Sequence, residues 1–266
     1  MNNKVILITG ASSGLGLACA DHLTARGWRV VGASRRGVSP APWHARAMDV
    51  DDDASVEAGV AAVVAEYGRL DAVVANAGWG LAGAVERTPT ADAKAQLETN
   101  FFGVVRVVKA ALPVMREHGG GRIVIMSSIG GVIGIPFQAF YCASKFALEG
   151  YAEALAYEVE PYNVHVTLVE PGNFKTGFTA SRRKVPLEPH QAYAVAEARA
   201  IAVMEKDEVT GADPLDVAKA VERVLDLRRP PRRISVGKWD ERIGVIAKRV
   251  IPFRVFERGA RSALGV

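Results

Sequence analysis

Val5-Ile6-Leu7-Ile8-Thr9-Gly10-Ala11-Ser12-Ser13-Gly14-Leu15-Gly16 is the stretch on which the fold turns. It reads as a short apolar run of strand length, a glycine-rich loop, and the start of a helical pattern over Leu15–Arg26. A strand that is apolar at every position is buried on both faces, which happens in a parallel sheet covered by helices on each side. The loop then lies at the carboxyl end of the first strand, the edge where such sheets bind ligands. Glycines there permit a tight turn and close approach of backbone to a diphosphate, and the helix N-terminus offers free N–H groups. An ordinary strand-to-helix turn also uses glycine for its dihedrals, so the loop alone leaves both readings open. Gly16 is expected to let the helix pack on the sheet.

Outward from this unit the alternation continues. Strand-like runs at Arg29–Ala33, His44–Asp49, Leu70–Ala75, Arg122–Ser127, Val164–Val169 and Arg233–Val236 are separated by longer helical patterns. His44–Asp49 is the most polar and belongs near a sheet edge. The helical patterns cover Ala54–Tyr67, Asp92–Glu117, Phe140–Glu158 and Pro214–Leu227, with Asp51–Asp53 as the cap and first turn of the first of them. This order predicts a single-domain α/β fold, a doubly wound parallel sheet of Rossmann type with helices on both faces. The domain is expected over 1–237. Within it, 174–212 breaks the alternation, is punctuated by Pro186, Pro189 and Gly211, holds a helical pattern at Tyr193–Glu205, and reads as a substrate lid. Residues 238–266 read as a basic amphipathic extension with Pro252 in its middle.

Composition narrows the function. With 266 residues, 49% hydrophobic and 23% charged, the chain is not disordered. No apolar run reaches the ~18 residues of a membrane span. Val5–Ile8 is too short for a signal-peptide core, so a cytoplasmic protein is expected. Two cysteines, Cys19 and Cys142, make neither a disulfide scaffold nor a zinc site and read as buried thiols. His22, His44, His118, His165 and His190 have no metal-ligand spacing, so no metal is expected. The net charge of +4 is uneven: Arg228–Val266 holds 11 Lys+Arg against 3 Asp+Glu, which leaves the rest of the chain acidic. Basicity confined to the tail argues against nucleic acid as a partner.

A second constellation follows. Tyr141 and Lys145 stand four apart on a helical pattern and so share a face. A phenol of pKa ~10 is a poor base, but a neighbouring ammonium would lower that value and allow proton exchange with a carbonyl or alcohol oxygen. Ser127-Ser128, Asn76-Ala77-Gly78 and Pro171-Gly172 each follow the end of a strand, and Asn100 sits inside a helix, where asparagine is disfavoured. In a parallel sheet these strand ends converge on the edge that carries the glycine loop. At the end of the second strand, Ala33-Ser34-Arg35-Arg36 offers two guanidiniums and no acid. Arg35 and Arg36 suit a 2′-phosphate, which predicts NADP(H) over NAD(H).

With these motifs the sequence resembles the short-chain dehydrogenase/reductase family over about Lys4–Val236. The resemblance is closest to the branch of hydroxysteroid and retinol dehydrogenases, through the run Gly134–Gly150. It rests on Thr9-Gly10-x-x-x-Gly14-x-Gly16, Asn76-Ala77-Gly78, Asn100, Ser128, Tyr141-x-x-x-Lys145 and Pro171-Gly172 with Thr176. It implies that Tyr141 is the acid/base, that Ser128 holds the substrate oxygen, and that Lys145 lowers the Tyr141 pKa and binds the nicotinamide ribose. Asn100 would support a water linking Lys145 to solvent. Gly10, Ser12, Ser13, Gly14, Leu15 and Gly16 would cradle the phosphates and adenosine. Asp49 and Val50 would meet the adenine, and Asn76, Ala77 and Gly78 would line the cofactor. Pro171, Gly172, Phe174 and Thr176 would hold the nicotinamide end, although Phe174 stands where a smaller aliphatic residue is usual. Ser127 competes with Ser128; the thirteen-residue spacing to Tyr141 decides for Ser128.

The implied activity is NADP(H)-dependent interconversion of a ketone or aldehyde and an alcohol. Phe137, Phe140, Phe178, Trp79 and Leu81 suggest a bulky hydrophobic substrate. A 3-oxoacyl-thioester reductase and a non-catalytic NADP(H) sensor are the alternatives. A homodimer or homotetramer is expected. For the tail, packing over the cleft or on a neighbouring subunit is the stronger expectation, and contact with a membrane surface the weaker.

Overall fold

The computed structural model describes residues 3–38, 42–187 and 192–263. Pro189 and His190 of the expected lid and 264–266 of the tail lie outside the described residues. In chain order the elements are β1 (Val5–Thr9), α1 (Gly14–Ala25), β2 (Arg29–Ser34), β3 (His44–Ala47), α2 (Asp53–Tyr67), β4 (Ala72–Ala75) and β5 (Leu81–Ala82). Next come α3 (Thr90–Leu97), α4 (Gly103–Glu117), β6 (Gly121–Met126), α5 (Ala139–Val159), β7 (Val164–Pro171), α6 (Phe178–Ser181) and β8 (Arg183–Lys184). The chain ends with α7 (Ala194–Val209), α8 (Pro214–Asp226), β9 (Arg233–Val236), α9 (Trp239–Val250) and α10 (Phe253–Ala263).

Seven strands form one sheet in the order β3-β2-β1-β4-β6-β7-β9. Every neighbouring pair is parallel. The order reverses beside β1, which creates a crevice at the carboxyl ends of β1 and β4. The period-two geometry of β1 shows how the two layers arise. Val5 and Leu7 pack into a core with Val56, Val60, Val104, Val107 and Leu148 of α2, α4 and α5. Ile6 and Ile8 point the other way, into a core with Cys19, Leu23, Val217 and Val221 of α1 and α8. An all-apolar strand is therefore required, because each face meets its own helical layer. The polar run β3 is the sheet edge, as its composition suggests. Asp52 caps α2 by accepting a hydrogen bond from the Ser55 backbone at 2.6 Å.

Three elements differ from the sequence reading. Asp92–Glu117 is not one helix. α3 and α4 are joined by a π-helical turn at Glu98–Phe102, opened where the buried Asn100 side chain turns inward to bond other segments. The 174–212 segment contains a strand after all: β8 pairs in parallel with β5, through Leu81↔Arg183 and Ala82↔Lys184. The tail is two helices, broken at Pro252, whose ring cannot continue α9.

Candidate active site

The glycine loop closes on itself. Gly10 and Gly14 have φ of +67° and +58°, which side-chain-bearing residues rarely adopt. A Cβ on Gly10 would lie 2.9 Å from the backbone of Ala77, and one on Gly16 would lie 2.4 Å from the Gly10 carbonyl oxygen. Gly16 thus lets the first turn of α1 pack closely on the chain leaving β1 and on Asn76 at the end of β4, the edge of the sheet. The Asn76 amide donates to the Thr9 carbonyl at 2.9 Å, while the Thr9 hydroxyl accepts from the backbone N–H groups of Asn76 and Ala77 at 3.0 and 3.1 Å. The Asn76 side chain therefore staples the ends of β1 and β4 together, a task the sequence reading did not assign it. The first turn of α1 carries no acidic residue, and the Ser13 side chain makes no capping bond. Its N–H groups stay open to an anion from Ser12, Ser13 and Leu15 onward.

Around this cradle stand the other expected contacts. The loop reaches the end of β2 through the bond from the Ala11 N–H to the Ala33 carbonyl, 3.2 Å, and exposed Arg35 and Arg36 follow immediately. Asp49 is half-buried after β3, and Val50 is buried, with its side chain 2.9 Å from where a Gly103 Cβ would sit. Gly78 is exposed at the crevice. Thr176 lies against Gly14, 3.6 Å from a Cβ built there. Phe174 is buried and bridges to Ala212, so its side chain belongs to the apolar layer around Val217 and not to the open crevice.

At the carboxyl ends of β6 and β7 stand Ser127, Ser128, Tyr141 and Lys145. The Ser128 Oγ accepts from the Gly130 N–H at 3.0 Å and donates to the Pro171 carbonyl at 3.4 Å. The Ser127 Oγ instead donates to Glu149 at 2.6 Å, and that carboxylate also accepts from Arg233 Nε at 2.9 Å. Ser127 is thus tied into an ion-pair network with Glu149 and Arg233. A Cβ built on Gly130 would lie 3.2 Å from the Tyr141 ring and 3.4 Å from the Ser128 Oγ, so the two side chains are neighbours, and the ring meets Phe178 edge-on at 6.0 Å between centroids.

Lys145 departs from expectation. Its ammonium lies 5.9 Å from the Tyr141 ring centroid and donates to the Met126 carbonyl at 2.7 Å. Burial pushes it down to about 8, with Glu149 pulling the other way. Burial likewise pushes Tyr141 up to about 12, partly offset by the nearby Ser128 hydroxyl. The lysine therefore does not lower the tyrosine in the protein alone, because desolvation outweighs an ammonium already held by a carbonyl. Asn100 is fully buried: its amide donates to the Trp79 carbonyl at 3.0 Å and to the Ser144 Oγ at 3.2 Å, and its oxygen accepts from the Trp79 N–H at 3.0 Å.

Sequence reasoning missed Glu241. From α9 its Oε1 accepts from the backbone and side-chain N–H groups of Asn173 at 2.9 and 2.8 Å, and its Oε2 accepts from the Lys238 N–H at 2.9 Å. A Cβ on Gly172 would fall 2.0 Å from that carboxylate, so Gly172 is where the carboxylate docks. Within 174–212, the Arg182 side chain is fully buried, lies over Phe178 and pairs with Glu208. Arg87 pairs with the buried Glu197 on the same segment. Among the described residues no cluster could hold a metal, and no helix is long and apolar enough to cross a membrane.

Residues 4–186 match the family profile described as short chain dehydrogenase. The chain belongs to this family. This short-chain dehydrogenase is therefore an oxidoreductase acting on a carbonyl or alcohol group. It is 40% identical over 263 residues to a 3-ketodihydrosphingosine reductase of Bacteroides thetaiotaomicron, covering 98% of each chain. It is 38% identical over 195 residues to estradiol 17-beta-dehydrogenase 1 of Rattus norvegicus, covering 67% of this chain and 56% of that one. The crystal structure of a short-chain dehydrogenase from Streptomyces avermitilis superposes with a TM-score of 0.82 at 34% identity, over 97% of both chains.

Proposed function

We propose that this short-chain dehydrogenase is an NADP(H)-dependent reductase of bulky hydrophobic ketones, with Tyr141 as the proton donor. The observation that carries this reading is the meeting of Tyr141, Ser128 and Phe178 at the end of β6, above the buried Lys145. The crevice fits a dinucleotide. A Cβ cannot enter at Gly10 or Gly16, the first turn of α1 is free of acids, and two arginines stand where a 2′-phosphate would lie. When bound, the nicotinamide supplies or takes up the hydride.

The chain's own residues do the rest. A Tyr141 held near 12 is a phenol at neutral pH, loaded to donate to a carbonyl oxygen. Ser128, fixed by Gly130 and Pro171, holds that oxygen within reach. Lys145 lies behind the ring, and its lowered value lets it lose and regain a proton near neutral pH.

Phe178 and the 174–212 segment, tied together by Arg182 and Glu208, give the oxygen site an apolar wall. Relatives named for 3-ketodihydrosphingosine and for estradiol support a large apolar substrate. Family members are commonly oligomers, and a homodimer or homotetramer through α4 and α5 is proposed on that ground. NADPH oxidation with long-chain and steroidal ketones tests the reading. Turnover of these over short polar ketones is expected. Preference for β-ketoacyl thioesters, or cofactor binding with no turnover of any ketone, would replace it.

A further inference from the structure

We propose that the outer face of α9–α10 docks on the surface of a bilayer carrying anionic lipid, beside the crevice. Helix α9 has two different sides. Inward it is fixed to the body: Val245 is buried, Gly244 approaches Ile133, and Glu241 holds Asn173. Outward it carries Trp239, Ile243, Ile246 and Val250, spaced by four, three and four residues and so on one narrow stripe. These side chains are 74, 52, 60 and 73% exposed. Large apolar residues left open in a row at helical spacing need a partner, whereas isolated ones do not.

Helix α10 extends the same surface. None of its residues is buried, and Phe253 and Val255 are exposed. Arg254, Arg258 and Arg261 fall on one side of it, and Phe253, Phe256 and Ala260 on another. The Lys248 ammonium lies 4.5 and 5.1 Å from the ring centroids of Phe253 and Phe256, so cation and aromatic groups share one edge. Across α9–α10 there are six Lys+Arg against three acids, of which Glu241 is turned inward. An apolar stripe bordered by cations is the pattern of a helix lying in a membrane interface, where aromatic rings sit at headgroup level. A second copy meeting this face symmetrically would set like charges against one another. An anionic lipid surface matches the apolar and the cationic parts together. The inference does not depend on which ketone is reduced, since it rests on the tail alone.

Vesicle flotation of the purified full chain tests it. The protein is expected to float with vesicles of phosphatidylcholine mixed with phosphatidylglycerol, far less with phosphatidylcholine alone, and less as salt is raised. Replacing Arg254, Arg258 and Arg261 by Gln should lower partitioning by about a hundredfold. The double change Ile246→Glu, Val250→Glu should abolish flotation while leaving the thermal midpoint and cofactor binding in place. A wild-type chain that does not float with anionic vesicles overturns the proposal. So does a double variant that floats like wild type, or one whose only change is a smaller assembly by size-exclusion chromatography; the last result would make the face a contact between copies.

Discussion

The Lys145 ammonium donates to the Met126 carbonyl at 2.7 Å, so the cation that stands behind Tyr141 is anchored to the end of β6. Its lowered pKa has a consequence for stability. Between about 8 and the ordinary 10.5, the unfolded chain holds a proton that the folded chain has released. The lysine's own contribution to stability therefore rises with pH across that window. The gain is about 3 kcal/mol for the lysine alone. Denaturant unfolding of the cofactor-free protein at several pH values should show the wild type gaining on Lys145→Met as pH rises, because the raised thiols of Cys19 and Cys142, which lower stability above about pH 9, are common to both proteins. A pH response identical in the two proteins would mean that the lysine is not desolvated as described.

Arg35 and Arg36 bear on cofactor choice. Replacing both with Ala should weaken NADPH by more than about tenfold, since each charge-assisted hydrogen bond to a phosphate contributes on the order of 1.5–3 kcal/mol. NADH binding should change little. Titration by fluorescence quenching distinguishes the two, and equal losses for both dinucleotides would contradict the phosphate assignment.

Glu241 links the tail to the loop after β7. Glu241→Ala leaves the Asn173 N–H groups without their acceptor, at a cost of about 1–3 kcal/mol. Because that loop includes Gly172 and leads to Thr176, which rests on Gly14, the KM for NADPH should rise more than kcat falls. Paired steady-state kinetics and thermal unfolding check this. A loss of stability with an unchanged KM would confine Glu241 to holding the tail.

Arg182 ties the start of the 174–212 segment to α7 through Glu208. Arg182→Met leaves Glu208 buried without its cation, a loss of about 3–5 kcal/mol when a buried pair is broken. The effect should be local. Hydrogen exchange is expected to speed up in α6, β8 and α7 while β1, β4 and β6 keep their protection. Uniform acceleration across the sheet would show that the lid and body unfold as one unit.

How much of this could be read beforehand depended on the range of the interactions. The sheet was legible because β1, β4 and the Ile123–Met126 part of β6 are apolar at consecutive positions, and that pattern has one common explanation. Tyr141, Lys145, Ser128 and the glycine loop stood out because their spacings are local. The Asn76 staple, the Glu241 contact with Asn173 and the pairing of β5 with β8 join residues far apart in sequence, so no spacing announces them. The π turn around Asn100 was hidden for a related reason: its cause is a set of partners, Trp79 and Ser144, brought by other segments. The raised Tyr141 value followed from burial, which a motif does not express. The tail's periodicity was visible, but its exposure was not.

The most direct measurement is NADPH oxidation by Tyr141→Phe with a hydrophobic ketone, made alongside NADPH binding by calorimetry. Removing one hydroxyl should lower turnover by about 10²–10⁴-fold, the usual contribution of a positioned proton donor. The NADPH affinity should stay within a few-fold, because the ring and its contact with Phe178 remain. Turnover near wild type, or loss of cofactor binding in step with activity, would contradict the claim that this phenol delivers the proton.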